Sequence, residues 1–200
     1  MITVIDYGMG NLRSVEKAFE SVGAEVKVSQ DKHNIKSADK IVLPGVGAIK
    51  PAVDRLRDLG LISIIKDVVK AGVPFLGICL GFQLLFEESY EGGLVKGLGI
   101  LQGRVKRFPP TVKVPHMGWN QLSLNINNCP IFKGLEFPIN VYFCHSYYVD
   151  VLDKNIVTTS TDYGIKFASS VYCGNIFGVQ FHPEKSQQEG LRILKNFAEL

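Results

Sequence analysis

The nine residues Phe75-Leu-Gly-Ile-Cys-Leu-Gly-Phe-Gln83 leave the chain little freedom in how it can fold there. An apolar run, Val73 to Ile78, reads as a buried strand that ends at Cys79, and helical spacing begins at once over Leu80 to Ser89. The backbone must therefore turn sharply from strand to helix at the cysteine. Gly77 and Gly81 flank Cys79 at two residues' distance, and only such small neighbours let the turn close without clashing. A cysteine held there sits in an unusual backbone conformation at a helix N-terminus. The positive end of the helix dipole favours its thiolate, and free N–H groups can face a developing oxyanion. A cysteine in a tight packing spot between glycines remains the alternative, and a partner residue is needed to separate the two.

The elements before this turn alternate as a parallel sheet wrapped by helices requires. Strand candidates are 2–6, 24–28 and 40–45. The helical stretch 12–22 carries Leu12, Val15, Ala18, Phe19 and Val22 on one face, with Gly23 placed to end it. Two further helices lie between Ile49 and Ala71, broken near Gly60. After Gly92 the segments 103–108, 140–149, 156–161, 165–173 and 176–183 are short, β-branched or aromatic, and bounded by turn residues, so they read as partly antiparallel strands. A helix closes the chain over Gln187–Leu200. One α/β domain with a mixed sheet, spanning 1–200, accommodates all of this.

At 200 residues the chain buries roughly 70% of its unfolded surface, so it needs neither disulfide nor metal to hold a core. Twenty-two basic against nineteen acidic residues leave a net charge of +3. The densest basic stretch, Arg104 to Arg107, reads as a solvated strand end, so neither nucleic acid nor membrane is expected as a partner. The N-terminus lacks the features of a signal peptide, which makes the cytoplasm the expected location. Cys79, Cys129, Cys144 and Cys173 show no zinc-finger spacing, and the last three sit in strand-like contexts that read as buried free thiols. No metal or other cofactor is implied.

A base for Cys79 is offered by residues 177–186, Phe-Gly-Val-Gln-Phe-His-Pro-Glu-Lys-Ser. His182 titrates in the range a thiol's base needs, and Glu184, fixed in relation to it by Pro183, can hold the imidazole's tautomer. On its own this triplet reads more readily as a surface turn; beside the cysteine turn it becomes a triad. Residues 43–48, Leu-Pro-Gly-Val-Gly-Ala, follow a buried strand, and Gly45 and Gly47 free the backbone to present N–H groups to an anion. No Gly-Lys-Ser/Thr follows, so this is not a phosphate loop.

With these motifs in place the chain resembles the class I, triad-type glutamine amidotransferases over essentially its whole length. The resemblance implies a flavodoxin-like, mostly parallel mixed sheet flanked by helices. It implies that Cys79 attacks the side-chain amide of glutamine, that His182 is its base, and that Glu184 orients the base. Gly45, Val46, Gly47 and Leu80 would form the oxyanion region, and Gln83, His145, Ser146 and Tyr147 the glutamine pocket. Within the family, residues 5–15, 43–48, 115–120 and 145–149 are similar to the glutaminase subunits of imidazole glycerol phosphate synthases. Those subunits imply a heterodimer with a cyclase subunit built as a (β/α)₈ barrel, docked through Asn11, Met117, Trp119 and Asn120. The chain leaves no room for a barrel of about 250 residues, so the acceptor reaction is expected on a partner.

Asn11 also suits a helix N-cap, a role compatible with docking. Trp119, in a stretch with no helical pattern, would read as core but for the resemblance, which turns its loop toward the partner. His33 reads as surface, and His116 as a residue near the interface loop. Cys144 stands where the family leads one to expect valine, and reads as a packing substitution away from the catalytic set. Three alternatives stay open at this point. These are a related subunit feeding a different acceptor, such as a sugar, a stand-alone cysteine hydrolase of γ-glutamyl compounds, and a binding module without activity.

Overall fold

The computed structural model describes residues 1–125 and 128–200. In chain order the elements are β1 (Ile2–Ile5), α1 (Leu12–Ser21), β2 (Val26–Ser29), α2 (Lys32–Lys36), β3 (Lys40–Leu43), α3 (Ile49–Asp58), α4 (Ile62–Lys70), β4 (Phe75–Ile78) and α5 (Leu80–Leu84). They continue as β5 (Glu88–Ser89), β6 (Val95–Lys96), β7 (Gly103–Arg107), β8 (His116–Leu124), β9 (Ile139–His145), β10 (Tyr147–Val151), β11 (Val157–Asp162), β12 (Lys166–Cys173), β13 (Ile176–Val179) and α6 (Gln187–Ala198).

Nine strands form one sheet in the order β2-β1-β3-β4-β13-β12-β11-β8-β9. The first five are mutually parallel and the pairings from β13 to β9 are antiparallel, so the sheet is mixed and its parallel character belongs to one half. A second sheet, β10-β7-β5-β6, packs beside it. Alternation along the strands feeds two cores. Ile5, Ile41, Leu43 and Phe75 pack with Ile35 of α2, Leu56 of α3 and Ile65 of α4 on one face. Ile2, Val4, Val42, Leu76 and Ile78 pack with Phe19 of α1 and Phe197 of α6 on the other. Helices thus cover both faces, as a parallel sheet requires. Among the described residues no helix is long and apolar enough to cross a membrane.

Several expectations are corrected. The helix after Cys79 stops at Leu84 instead of running to Ser89. The carbonyls of Leu84, Leu85, Phe86 and Glu87 accept from the backbone N–H groups of residues 97–101, so long-range pairing consumes the groups a longer helix would have used. The segment 140–149 is two strands, β9 and β10, which part at Ser146 and enter different sheets. Residues 115–120 are not a loop: β8 pairs with β9 from His116 to Leu122. Cys129 is buried as expected, but Cys144 is only half-buried and Cys173 is exposed. His33 is exposed, and Arg104 and Lys106 pair at the surface with Glu88 and Asp150.

Candidate active site

The parallel half of the sheet delivers four chain segments to one end. β1 leads into Tyr7 to Asn11, β3 into the Gly45–Gly47 loop, β4 into Cys79, and β13 into Gln180 to Glu184. Strand order reverses around β1, and the carboxyl ends of the strands at such a reversal are where open α/β sheets bind ligands.

Cys79 has φ +54° and ψ −105°, a conformation that side-chain-bearing residues rarely adopt. The flanking glycines explain how the fold tolerates it. A Cβ at Gly81 would overlap the Leu43 carbonyl oxygen, and one at Gly77 would lie 2.8 Å from the Gly81 oxygen. Cys79 N–H donates to Val179 O at 2.8 Å, which fixes the elbow against β13 and so against the segment carrying His182. His182 and Glu184 are joined by a 2.8 Å contact between Nδ1 and Oε1, with both side chains buried. Burial works against protonation of His182. The adjoining Cys79 sulfur and then the Glu184 carboxylate outweigh it, and the imidazole's pKa is raised.

One cavity of about 270 Å³ is lined by Val46, Gly47, Cys79, Leu80, Gln83, His145, Ser146, Tyr147 and His182, so the anticipated pocket residues converge. Gly45 lies beneath the lining, where a Cβ would overlap the Tyr7 hydroxyl, and Gly47 has φ +93°. Gly45 is thus required for space and Gly47 for conformation. The Leu80 N–H does not face the cavity unengaged: it donates to the Gly45 carbonyl at 3.3 Å.

Cys144 lines the same cavity, and its carbonyl lies 3.9 Å from Cys79 Sγ, so the residue is part of the site's wall. It had been expected away from the catalytic set. No local pattern marks Glu91, Lys185 or Gln180 as site residues. Glu91 lines the cavity and accepts from Ile49 N–H at 2.8 Å, tying the end of the glycine loop, and Lys185 stands at the same wall. Gln180 is fully buried, with Nε2 3.8 Å from Cys79 Sγ. Its Oε1 accepts from Gln83 Nε2 at 3.0 Å, while Gln83 Nε2 also donates to Tyr147 O at 2.9 Å. Both protons of the Gln83 amide are committed, so its oxygen is what it can offer a ligand.

His145 is likewise committed. Its Nδ1 donates to Tyr147 O at 2.8 Å, which leaves Nε2 to accept from His116 Nδ1 at 3.0 Å. His116 Nε2 then accepts from Asn120 Nδ2 at 3.3 Å. Neutral rings satisfy the whole chain. Burial lowers the pKa of His116 to about 4, and burial is the main cause that brings His145 to about 3. His145 is a wall of the pocket braced from behind by His116.

Of the anticipated docking residues, Met117 and Trp119 project from the outward face of β8 and are exposed, and Trp119 packs edge-on against Tyr142 of β9. Asn120 turns inward to His116 and to Asp162 O. Asn11 is exposed and caps α1, accepting from Ser14 N–H at 3.4 Å. Among the described residues no cluster of His, Cys, Asp and Glu is placed to hold a metal ion.

The sequence profile of the family glutamine amidotransferase class-I matches residues 3–200. A protein of Moorella thermoacetica named imidazole glycerol phosphate synthase subunit HisH is 51% identical over 199 residues, covering 100% of this chain and 94% of its own. The subunit of the same name from Aquifex aeolicus is 54% identical, covering 97% of this chain and 94% of its own. Among solved structures, PurLQS from Thermotoga maritima superposes with a TM-score of 0.76 at 21% identity, over 99% of this chain and 97% of that one, a likeness of fold alone.

Proposed function

The chain belongs to the class I glutamine amidotransferases, and from that membership we propose that it is the glutaminase subunit of an imidazole glycerol phosphate synthase. In this reading residues 1–200 form one catalytic domain in the cytoplasm. It hydrolyses glutamine and passes the ammonia to a cyclase subunit, a (β/α)₈ barrel, in histidine biosynthesis.

One observation carries the chemistry: Cys79, held at φ +54°, shares a cavity with a His182 that is bonded to Glu184. The Cys79 thiolate adds to the amide carbon of glutamine, and the carbonyl electrons move onto oxygen. Protonated His182 gives its proton to the departing nitrogen, so ammonia leaves and a γ-glutamyl thioester remains. Water then gives a proton to neutral His182 and adds to the thioester, whose collapse releases glutamate and restores the thiolate–imidazolium pair. A raised His182 pKa suits this order of events, because the proton is in place before the nitrogen needs it. Glu184 keeps the Nδ1 proton directed at itself. Glu91 and Lys185, the acidic and basic side chains of the cavity wall, match the ammonium and carboxylate of a free amino acid.

The exposed Met117 and Trp119 on β8 support docking of the cyclase there, with Asn11 at the cap of α1 contributing and Asn120 bracing the strand from within. Ammonia production and ammonia use can be separated by experiment. Paired with the cyclase subunit, Cys79→Ala or His182→Ala should abolish glutamine-dependent formation of imidazole glycerol phosphate. With an ammonium salt at alkaline pH, formation should continue near the wild-type rate. Loss of the ammonia-dependent reaction in complexes that still assemble would place Cys79 in the second half-reaction and sink this assignment. Equal glutamine turnover with and without the cyclase would instead favour a stand-alone hydrolase.

A further inference from the structure

Cys79 is only 6% exposed, so little water reaches its sulfur to stabilise a negative charge. The steps above need that sulfur as a thiolate, and protein donors must therefore face it. The imidazolium of His182 adjoins it and supplies one. The Cys144 carbonyl, 3.9 Å from Sγ, can only accept, and so favours the protonated thiol. Gln180, which those steps leave unused, follows β13 directly and stands two residues before His182. It is fully buried, and its Nε2 lies 3.8 Å from Cys79 Sγ. Its other contact decides which end of the amide faces the sulfur. Gln180 Oε1 accepts from Gln83 Nε2 at 3.0 Å, so the N–H end is what remains for Cys79. The backbones are fixed as well. Gln180 N–H donates to Ser169 O at 2.9 Å, and Cys79 N–H to Val179 O at 2.8 Å. The donor is thus in place before the sulfur is charged, and it needs no reorganisation when the charge forms.

We infer that Gln180 is a further catalytic residue: its side-chain N–H donates to the Cys79 thiolate and, together with His182, keeps the nucleophile charged. The inference deepens the glutaminase reading above and rests on it for the reaction served. A hydrogen bond to a charged acceptor in a buried site counts for more than one between neutral groups, which gives a single N–H the leverage required. The remaining titratable groups around the sulfur do not duplicate this role. Burial, and next Cys79 itself, hold the Tyr7 phenol well above its ordinary range, so it stays neutral. The His145 ring is neutral too, and Glu184 reaches the sulfur only through His182. Glu91 and Lys185 stand on the same cavity wall with opposite charges. Gln180 also joins the two halves of the site. The amide that holds Gln83 by its oxygen holds the nucleophile by its nitrogen.

Gln180→Met keeps an unbranched side chain and removes the donor; Gln180→Leu is the second variant. In the full chain, the rate at which iodoacetamide alkylates Cys79 is followed across pH by peptide mass spectrometry. On the acid limb, where the rate still climbs with pH, both variants should be about tenfold slower than wild type, the loss of one hydrogen bond to a charged group. On the alkaline plateau they should match wild type within about twofold, because there the thiol ionises without help. Gln83→Met breaks the same amide pair but keeps the Gln180 N–H, and should stay within about threefold of wild type on the acid limb. The acid limb of kcat/KM for glutamine, measured in the complex with the cyclase subunit, should move with alkylation. A deficit equal at every pH, or shared in full by Gln83→Met, marks a structural amide and overturns the inference. So would wild-type alkylation by both Gln180 variants, or failure of both to fold. If the acid-limb loss appears but the wild-type complex hydrolyses no glutamine, the glutaminase reading falls and the thiolate donor stands. An active complex matched by its Gln180 variants removes only the donor.

Discussion

The side-chain amides of Gln83 and Gln180, 97 positions apart in the chain, are hydrogen-bonded to each other at 3.0 Å directly beneath the cysteine turn. The bond sets the orientation of both groups. With Gln83 Nε2 donating, Gln180 must present its own Nε2 toward Cys79 Sγ, 3.8 Å away. The helix after the nucleophile and the strand before the base are thereby locked in register through a buried polar contact that neither could satisfy alone.

That lock should appear as energetic coupling. Gln83→Ala and Gln180→Ala should each lower the stability of the chain, by about 1–3 kcal/mol, because each strands a buried amide. The double variant should be less destabilised than the sum by about 0.5–3 kcal/mol, measured by urea denaturation in a double-mutant cycle. Strict additivity would show that the two amides do not act together.

Reactivity should distinguish the cysteines. An electrophile shaped like glutamine should modify Cys79 alone, whereas a small general alkylating reagent should also modify Cys173, which is exposed. Cys129→Ser and Cys173→Ser should keep glutamine turnover within about twofold of wild type, and Cys79→Ala should reduce it by at least about 10³-fold. Peptide mass spectrometry and a glutamate assay read both outcomes; primary labelling elsewhere would contradict the role given to Cys79.

The buried histidine pair should make the fold sensitive to acid. His116 and His145 have pKa values of about 4 and about 3 when folded, below the ordinary value near 6.5 of an unfolded chain. The unfolded state therefore binds more protons in this range, so stability is fully present above about 6.5 and is lost progressively as pH falls toward 4 and below. In His116→Gln one of these groups is gone. The stability difference between wild type and variant should shrink between pH 6.5 and 4, measured by thermal unfolding across that range. A constant difference would mean that His116 is protonated in the fold.

Trp119 is the only tryptophan, and it is 49% exposed. Docking of the cyclase over β8 should shift its emission to shorter wavelength. Trp119→Ala should weaken association about 30-fold, the effect of losing an aromatic anchor worth about 2 kcal/mol. Titration by calorimetry would measure this, and unchanged affinity would move the interface off β8. Glutamine hydrolysed per product formed should rise in complexes of the variant that still assemble.

How much of this was legible in the residues follows the range of the forces involved. The cysteine turn could be read because local sterics dictate part of it: glycine at 77 is demanded by the backbone of Gly81 and Phe82 a few positions away, whereas glycine at 81 makes room for the Leu43 carbonyl at the end of β3. The parallel half of the sheet was legible from alternation. The end of α5 was not, because Leu84 to Phe86 are as apolar as a helix would need, and only pairing with residues 97–101 ends it. β8 escaped notice because its inward face carries His116, Gly118 and Asn120, so no apolar alternation marks it. Gln180 looked like an ordinary polar position in a strand. Its role depends on Gln83 arriving from far along the chain, a juxtaposition that no local pattern encodes.

The pairing of β4 with β13 has one more consequence, and it concerns synthesis. A growing polypeptide that has emerged only through α5 already owns the thiol and its tight turn. The strand that Cys79 N–H needs, and the imidazole and carboxylate that follow it, all lie beyond Ile176. Nucleophile and base therefore meet only after the residues from Ile176 to Glu184 have left the ribosome, and a chain made only through α5 cannot squander glutamine.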